Sequence, residues 1–135
     1  MARRYLESVG EMEARLNILM RRRSVLTGLS RAAGENEDKR RAQAREMAGG
    51  IEEAWKKLHR QRRLVAHSIG RLPREEERDL LSLRYLDGLS YPDIAEVLGY
   101  SQRQVFRIHQ RALMHMEALT AEGEEGEEGE RPQEQ

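Results

Sequence analysis

The sequence predicts an all-α protein: a long, coiled-coil-like helical hairpin, then a helix-turn-helix, then a disordered acidic tail. Three observations predict it. Aromatic residues make up 4% of the 135 positions and charged residues 36%, a balance that suits amphipathic helices better than a β core. Apolar residues recur on alternating steps of four and three in two separate stretches. Between residues 73 and 119, two serine-led segments meet at a glycine, the punctuation of two capped helices joined by a tight turn. The length allows one domain or two small ones.

In the first stretch Tyr5, Val9, Met12, Leu16, Leu19 and Leu26 form a helix seam that only Arg23 interrupts. Residues 34–50 are polar and end in Gly49-Gly50. They read as a loop, with at most a frayed helix over Lys39–Met47, because no apolar face is sustained. A second seam follows through Ile51, Trp55, Leu58, Val65, Ile69 and Leu72, interrupted by Arg62. Two helices with one apolar stripe each cannot stay single in water, so residues 1–72 should form an antiparallel pair. Pairing within one chain and a homodimer through these N-terminal helices both satisfy the pattern. Trp55 belongs to the core on this reading, while Arg23 and Arg62 snorkel outward; a partner carboxylate is the alternative for the two arginines. The run Arg21-Arg22-Arg23 reads as a solvated face.

Residues 73–120 are denser in signals. Pro73 can open a helix, with Glu75, Glu76 and Glu77 favouring the positive end of its dipole. Leu80, Leu81, Leu83 and Tyr85 supply its buried side, and Asp87-Gly88 ends it. Ser90 begins the next helix, Tyr91–Leu98, with Asp93 at capping-box spacing and Ile94, Ala95, Val97 and Leu98 as its apolar face. The chain turns at Gly99. Ser101, with Gln104 three residues on, then caps a third helix over residues 102–119.

At 100° per residue, Val105, Ile108, Ala112, Met116 and Leu119 fall on one side of that helix, which should be core. Arg103, Arg107 and Gln110 lie opposite, flanked by Phe106 and Arg111. Such a face suits the major groove of double-stranded DNA. Arginine can bond guanine bidentately, glutamine can bond adenine, and an apolar ring can touch a thymine methyl.

The formal net charge of zero hides an asymmetry. Residues 121–135 hold seven Glu and one Arg and should be disordered, whereas residues 1–120 carry a surplus of six positive charges. Of the 24 basic residues, 21 are arginine, whose planar fork fits phosphates and guanine edges. The acidic tail reads as a solubilising appendage; the sharper alternative has it fold onto the arginine face and compete with phosphates.

Other classes find little support. No apolar run approaches the ~20 residues needed to span a bilayer, and residues 1–7 lack the apolar stretch of a signal peptide, so no secretory leader is expected. With no cysteine, disulfides and thiolate-metal sites are excluded, and a soluble intracellular, cytoplasmic protein is the default expectation. His59, His67, His109 and His115 are accompanied by no ligand set, so neither metal nor cofactor is expected. His109 sits at the border of the inner face, where a hydrogen bond within the module or to a phosphate suits it. No nucleophile–base pair or glycine-rich phosphate loop is visible, which argues against an enzyme.

The segment Leu83-Arg84-Tyr85-Leu86-Asp87-Gly88-Leu89-Ser90-Tyr91-Pro92-Asp93-Ile94-Ala95-Glu96-Val97-Leu98-Gly99-Tyr100-Ser101 resembles the last DNA-binding region of bacterial sigma factors, which reads the −35 element. Its continuation, Gln102-Arg103-Gln104-Val105-Phe106-Arg107-Ile108-His109-Gln110-Arg111-Ala112-Leu113, looks like the recognition helix of that region. The whole is similar to small regulators of late or lytic genes in phages and prophages of Gram-positive bacteria, of the ArpU and RinA kind. The resemblance implies that Gln102, Arg103, Phe106 and Arg107 face bases and that Arg111 contacts a backbone phosphate. It also brings RNA polymerase into view as a partner.

Housekeeping sigma helices carry an acidic residue where Arg103 stands and a basic one where Phe106 stands. An ordinary −35 hexamer is therefore not the expected site. The upstream sigma regions are missing too, so a complete sigma factor is not expected. Two further readings share the same architecture: a phage small terminase subunit that recognises packaging DNA, and a protein-interaction module that binds polymerase without DNA.

Overall fold

The computed structural model describes the backbone of residues 1–130 and the side chains as far as Ala121. It is all-α, with no strand among the described residues. Five helices run in order: α1 (Ala2–Ala32), α2 (Glu37–Gly70), α3 (Glu75–Leu81), α4 (Tyr91–Leu98) and α5 (Gln102–Glu130). A π-helical turn over Ser82–Leu86 extends α3.

The first two helices form the antiparallel hairpin within one chain. Near its open end, Leu6 and Val9 of α1 and Val65 and Ile69 of α2 are buried, as the four-three spacing demands. Polar pairs fix the register: the Tyr5 hydroxyl lies 3.2 Å from Ser68 Oγ, and Gln61 Nε2 donates to Ser8 Oγ at 2.8 Å. Toward the closed end Leu19, Leu26, Met47 and Ile51 are only half-buried, so the seam thins with distance from the module.

Three expectations for this half need correction. The segment 34–50 is a loop only as far as Asn36; from Glu37 onward it is the first part of α2. The Asn36 side chain accepts from the Lys39 N–H at 2.8 Å, Glu37 and Asp38 occupy the first turn, and Arg41 pairs with Glu37 at 2.7 Å. Capping and local charge pairs sustain a helix there without an apolar stripe.

Trp55 is not core. It stays 51% exposed, its ring 3.9 Å from that of His59, because it stands at the edge of the stripe formed by Leu58, Val65 and Ile69. Arg62 does not simply snorkel outward either. Its Nη1 donates to the Leu86 carbonyl at 2.8 Å and lies 3.8 Å from a Glu13 carboxylate oxygen, so it joins α1, α2 and the π-helical turn. Arg23 is exposed, as expected.

The remaining helices pack on the open end of the hairpin. Leu72, Leu80, Leu81, Ile94, Val105, Ala112 and Met116 are buried in one cluster with Ala2, Leu6, Val9, Val65 and Ile69. One apolar core thus runs from hairpin to module. Burial of each large side chain in it contributes roughly 1.5–3 kcal/mol.

The composition of residues 121–135 predicts disorder, but α5 continues to Glu130, so the backbone of 121–130 is helical. A helix extended from an anchored segment avoids the nucleation cost that an isolated acidic peptide would meet. Residues 131–135, where the rest of that expectation falls, lie outside the described residues.

Candidate nucleic-acid interface

Two helix starts and one turn set the geometry of this surface. Ser90 caps α4, its Oγ accepting from the Asp93 N–H at 3.3 Å, with Pro92 in the first turn. Gly99 ends α4 in the left-handed conformation at φ 72°, and the Tyr100 N–H bonds back to the Ala95 carbonyl at 2.9 Å. A Cβ at Gly99 would meet open space, so only its dihedral resists substitution. Gly99→Ala should therefore cost about 1 kcal/mol, readable as a shift in the urea unfolding midpoint.

Ser101 and Gln104 then close a full capping box on α5. Gln104 N–H donates to Ser101 Oγ at 3.1 Å, and Ser101 N–H donates to Gln104 Oε1 at 2.9 Å. The first turn of α5 is locked at its origin.

On the inner side of α5, Val105, Ile108, Ala112 and Met116 are buried. On the outer side Gln102, Arg103, Phe106, Arg107 and Gln110 are all exposed, so the structure brings five of the six expected site residues onto one surface. Phe106 leaves 62% of its area in water, a costly place for an aromatic ring unless a partner covers it. Among the described residues neither Arg103 nor Arg107 has a carboxylate within 4.0 Å, so both guanidiniums face outward uncompensated.

Arg111, the sixth, is differently placed. Its Nη2 lies 2.6 Å from Glu76 Oε1 and its Nε 3.0 Å from Glu77 Oε2. Glu77 is fully buried, and its second oxygen is 2.7 Å from His115 Nδ1. The charge of Arg111 is thus already engaged, and the side chain ties α5 to α3. Sequence reasoning placed Glu77 in a helix-dipole role and missed this buried carboxylate. The available signal was the pair Arg111 and His115, four apart on the flank of α5 that faces away from the exposed set.

His109 makes the internal contact expected of it. It is buried, with Nε2 2.7 Å from the Tyr85 hydroxyl, its ring stacked on Tyr85 and edge-on to Tyr91. Burial, with help from the Arg3 and Arg84 charges, holds its pKa down at about 4, so the ring is neutral at pH 7. Tyr85 is pushed up to about 12, mainly by burial. Arg84 spans the turn before α4, donating to the Leu89 carbonyl at 2.9 Å with its guanidinium 4.2 Å from the centre of the Tyr91 ring. Val97, expected in the apolar face of α4, is 61% exposed; Ile94 and Ala95 carry the burial there.

No helix among the described residues is long and apolar enough to cross a membrane. The family described as Sigma-70, region 4, matches residues 62–116, which reach from the last third of α2 to the middle of α5. No curated protein and no solved structure gives a significant match. With its capped helix pair, left-handed glycine turn and outward arginine face, this part of the chain is a sigma-like helix-turn-helix module.

Proposed function

We propose that the protein is a sequence-specific DNA-binding regulator of transcription, of phage or prophage type, that reads the major groove with α5. The observation that carries this reading is the exposed face of Gln102, Arg103, Phe106, Arg107 and Gln110 on a helix whose start is doubly capped. Arginine contacts to phosphates would supply salt-dependent affinity, and the edge contacts of Arg103, Arg107 and Gln110 would supply selectivity. The sigma-like module makes RNA polymerase a second partner to test.

Selection of bound duplexes from random DNA tests the reading. A consensus should emerge. On it, Arg103→Ala and Arg107→Ala should each cost roughly 1–3 kcal/mol and relax preference at particular positions. Equal losses on selected and random duplexes would count against base reading.

The exposed Ile18, Val25 and Leu29 lie on one side of α1, where a second chain could pack to make the homodimer. Mass in solution separates the alternatives. A ring of eight or more chains favours a terminase small subunit, whereas one or two chains favour the regulator. Polymerase binding without DNA binding would identify the protein-interaction module.

A further inference from the structure

The N-terminus of α1 does not end in solvent but docks against α5. Ala2 is buried, and its N–H donates to Glu117 Oε2 at 2.8 Å. Glu117 stands two turns beyond Gln110 on α5, so this contact lays the first turn of α1 along the flank of the exposed face. There Arg3 shares a cleft of about 310 Å³ with Tyr91 at the start of α4 and with Gln102, Phe106, His109 and Gln110 of α5. Three residues of the proposed reading face, Gln102, Phe106 and Gln110, therefore line the same cavity as a side chain of α1.

Arg3 is exposed, and among the described residues no carboxylate lies within 4.0 Å of its guanidinium. It is close enough to His109 for its charge to help hold that ring neutral. The contrast with Arg62 and Arg111 is informative, since both of those hold the fold together through carboxylates or carbonyls. An arginine left unpaired beside a groove-reading helix has the chemistry of a phosphate contact.

We infer that Arg3 is a DNA-backbone contact that flanks α5, so that the N-terminal hairpin is part of the DNA-binding surface as well as its support. The assignment rests on the DNA-binding reading above. When α5 lies in the major groove, elements on its flank face the sugar–phosphate walls, and Arg3 reaches that wall beside Tyr91. Such a contact adds affinity on any sequence and carries no base preference of its own.

The test uses the full chain, a selected duplex and a random-sequence duplex of equal length, each titrated across a salt series. Arg3→Ala should weaken binding to both duplexes by a similar factor, about 3- to 10-fold, and reduce the salt slope by about 0.9, the value of one phosphate contact. The selected consensus and the thermal midpoint should not change, and Arg3→Lys should restore most of the slope. Unchanged affinity and slope in R3A would overturn the assignment while leaving DNA binding intact. A loss that follows a lowered thermal midpoint, without rescue by lysine, would also overturn it, because Arg3 would then only be securing α1. Failure of the unaltered chain to bind either duplex would overturn both readings together.

Discussion

Arg111→Ala should destabilise the fold by about 3–5 kcal/mol, more than any other single change on the surface of α5. The substitution removes the guanidinium that faces Glu77, leaving a fully buried carboxylate with His115 as its remaining partner. Attraction between the two charges offsets the desolvation of Glu77 only while the partner is present. Urea unfolding at pH 7 measures the loss. Adding Glu77→Gln to Arg111→Ala should recover part of it, because the stranded charge is then gone. If the single variant unfolds like the unaltered protein but binds DNA more weakly with a salt slope reduced by about 0.9, Arg111 is a phosphate contact, as the sigma resemblance implies, and its brace role is minor.

His109 gives the second large effect, this time through pH. The unfolded chain takes up a proton on this imidazole near pH 6.5, whereas the folded chain resists until about pH 4. Between those values the unfolded state binds the extra proton. The stabilisation is complete above pH 6.5 and disappears progressively as the pH falls to 4. The difference is worth about 3 kcal/mol.

His109→Gln keeps a hydrogen-bonding group opposite Tyr85 and removes the titration. The unaltered protein should therefore lose more stability than H109Q on moving from pH 7 to pH 4, by about that amount. Parallel curves for the two proteins, or an imidazole resonance that titrates near 6.5, would contradict the neutral buried ring.

How much of this could be read from the residues depends on the kind of signal each element sends. The seams through Val9 and Leu16 and through Leu58, Val65 and Ile69 were legible because one-sided burial imposes a period. The caps at Ser90 and Ser101 and the turn at Gly99 were legible because each answers a local backbone need. From those alone, the exposed arginine face of α5 followed.

The early part of α2 was hidden because its helix is sustained by Asn36 and by ion pairs, while periodicity detects only apolar stripes. Trp55 misled for a related reason: an angle on a wheel tells which side a residue is on, but not how far the neighbouring helix reaches. Glu77 and Arg3 were invisible since each depends on a contact with α5 from a distant part of the sequence. Their roles exist only after the chain has folded back on itself.

The bond from the Ala2 amide to Glu117 spans 115 positions. On a ribosome, α1 would wait for α5 to emerge before its end is covered. Excising residues 73–120 would strip Leu6, Val9 and Val65 from the cluster they share with Leu80 and Met116. The exposed face of α5 is thus flanked by α1 only when two segments far apart in synthesis meet.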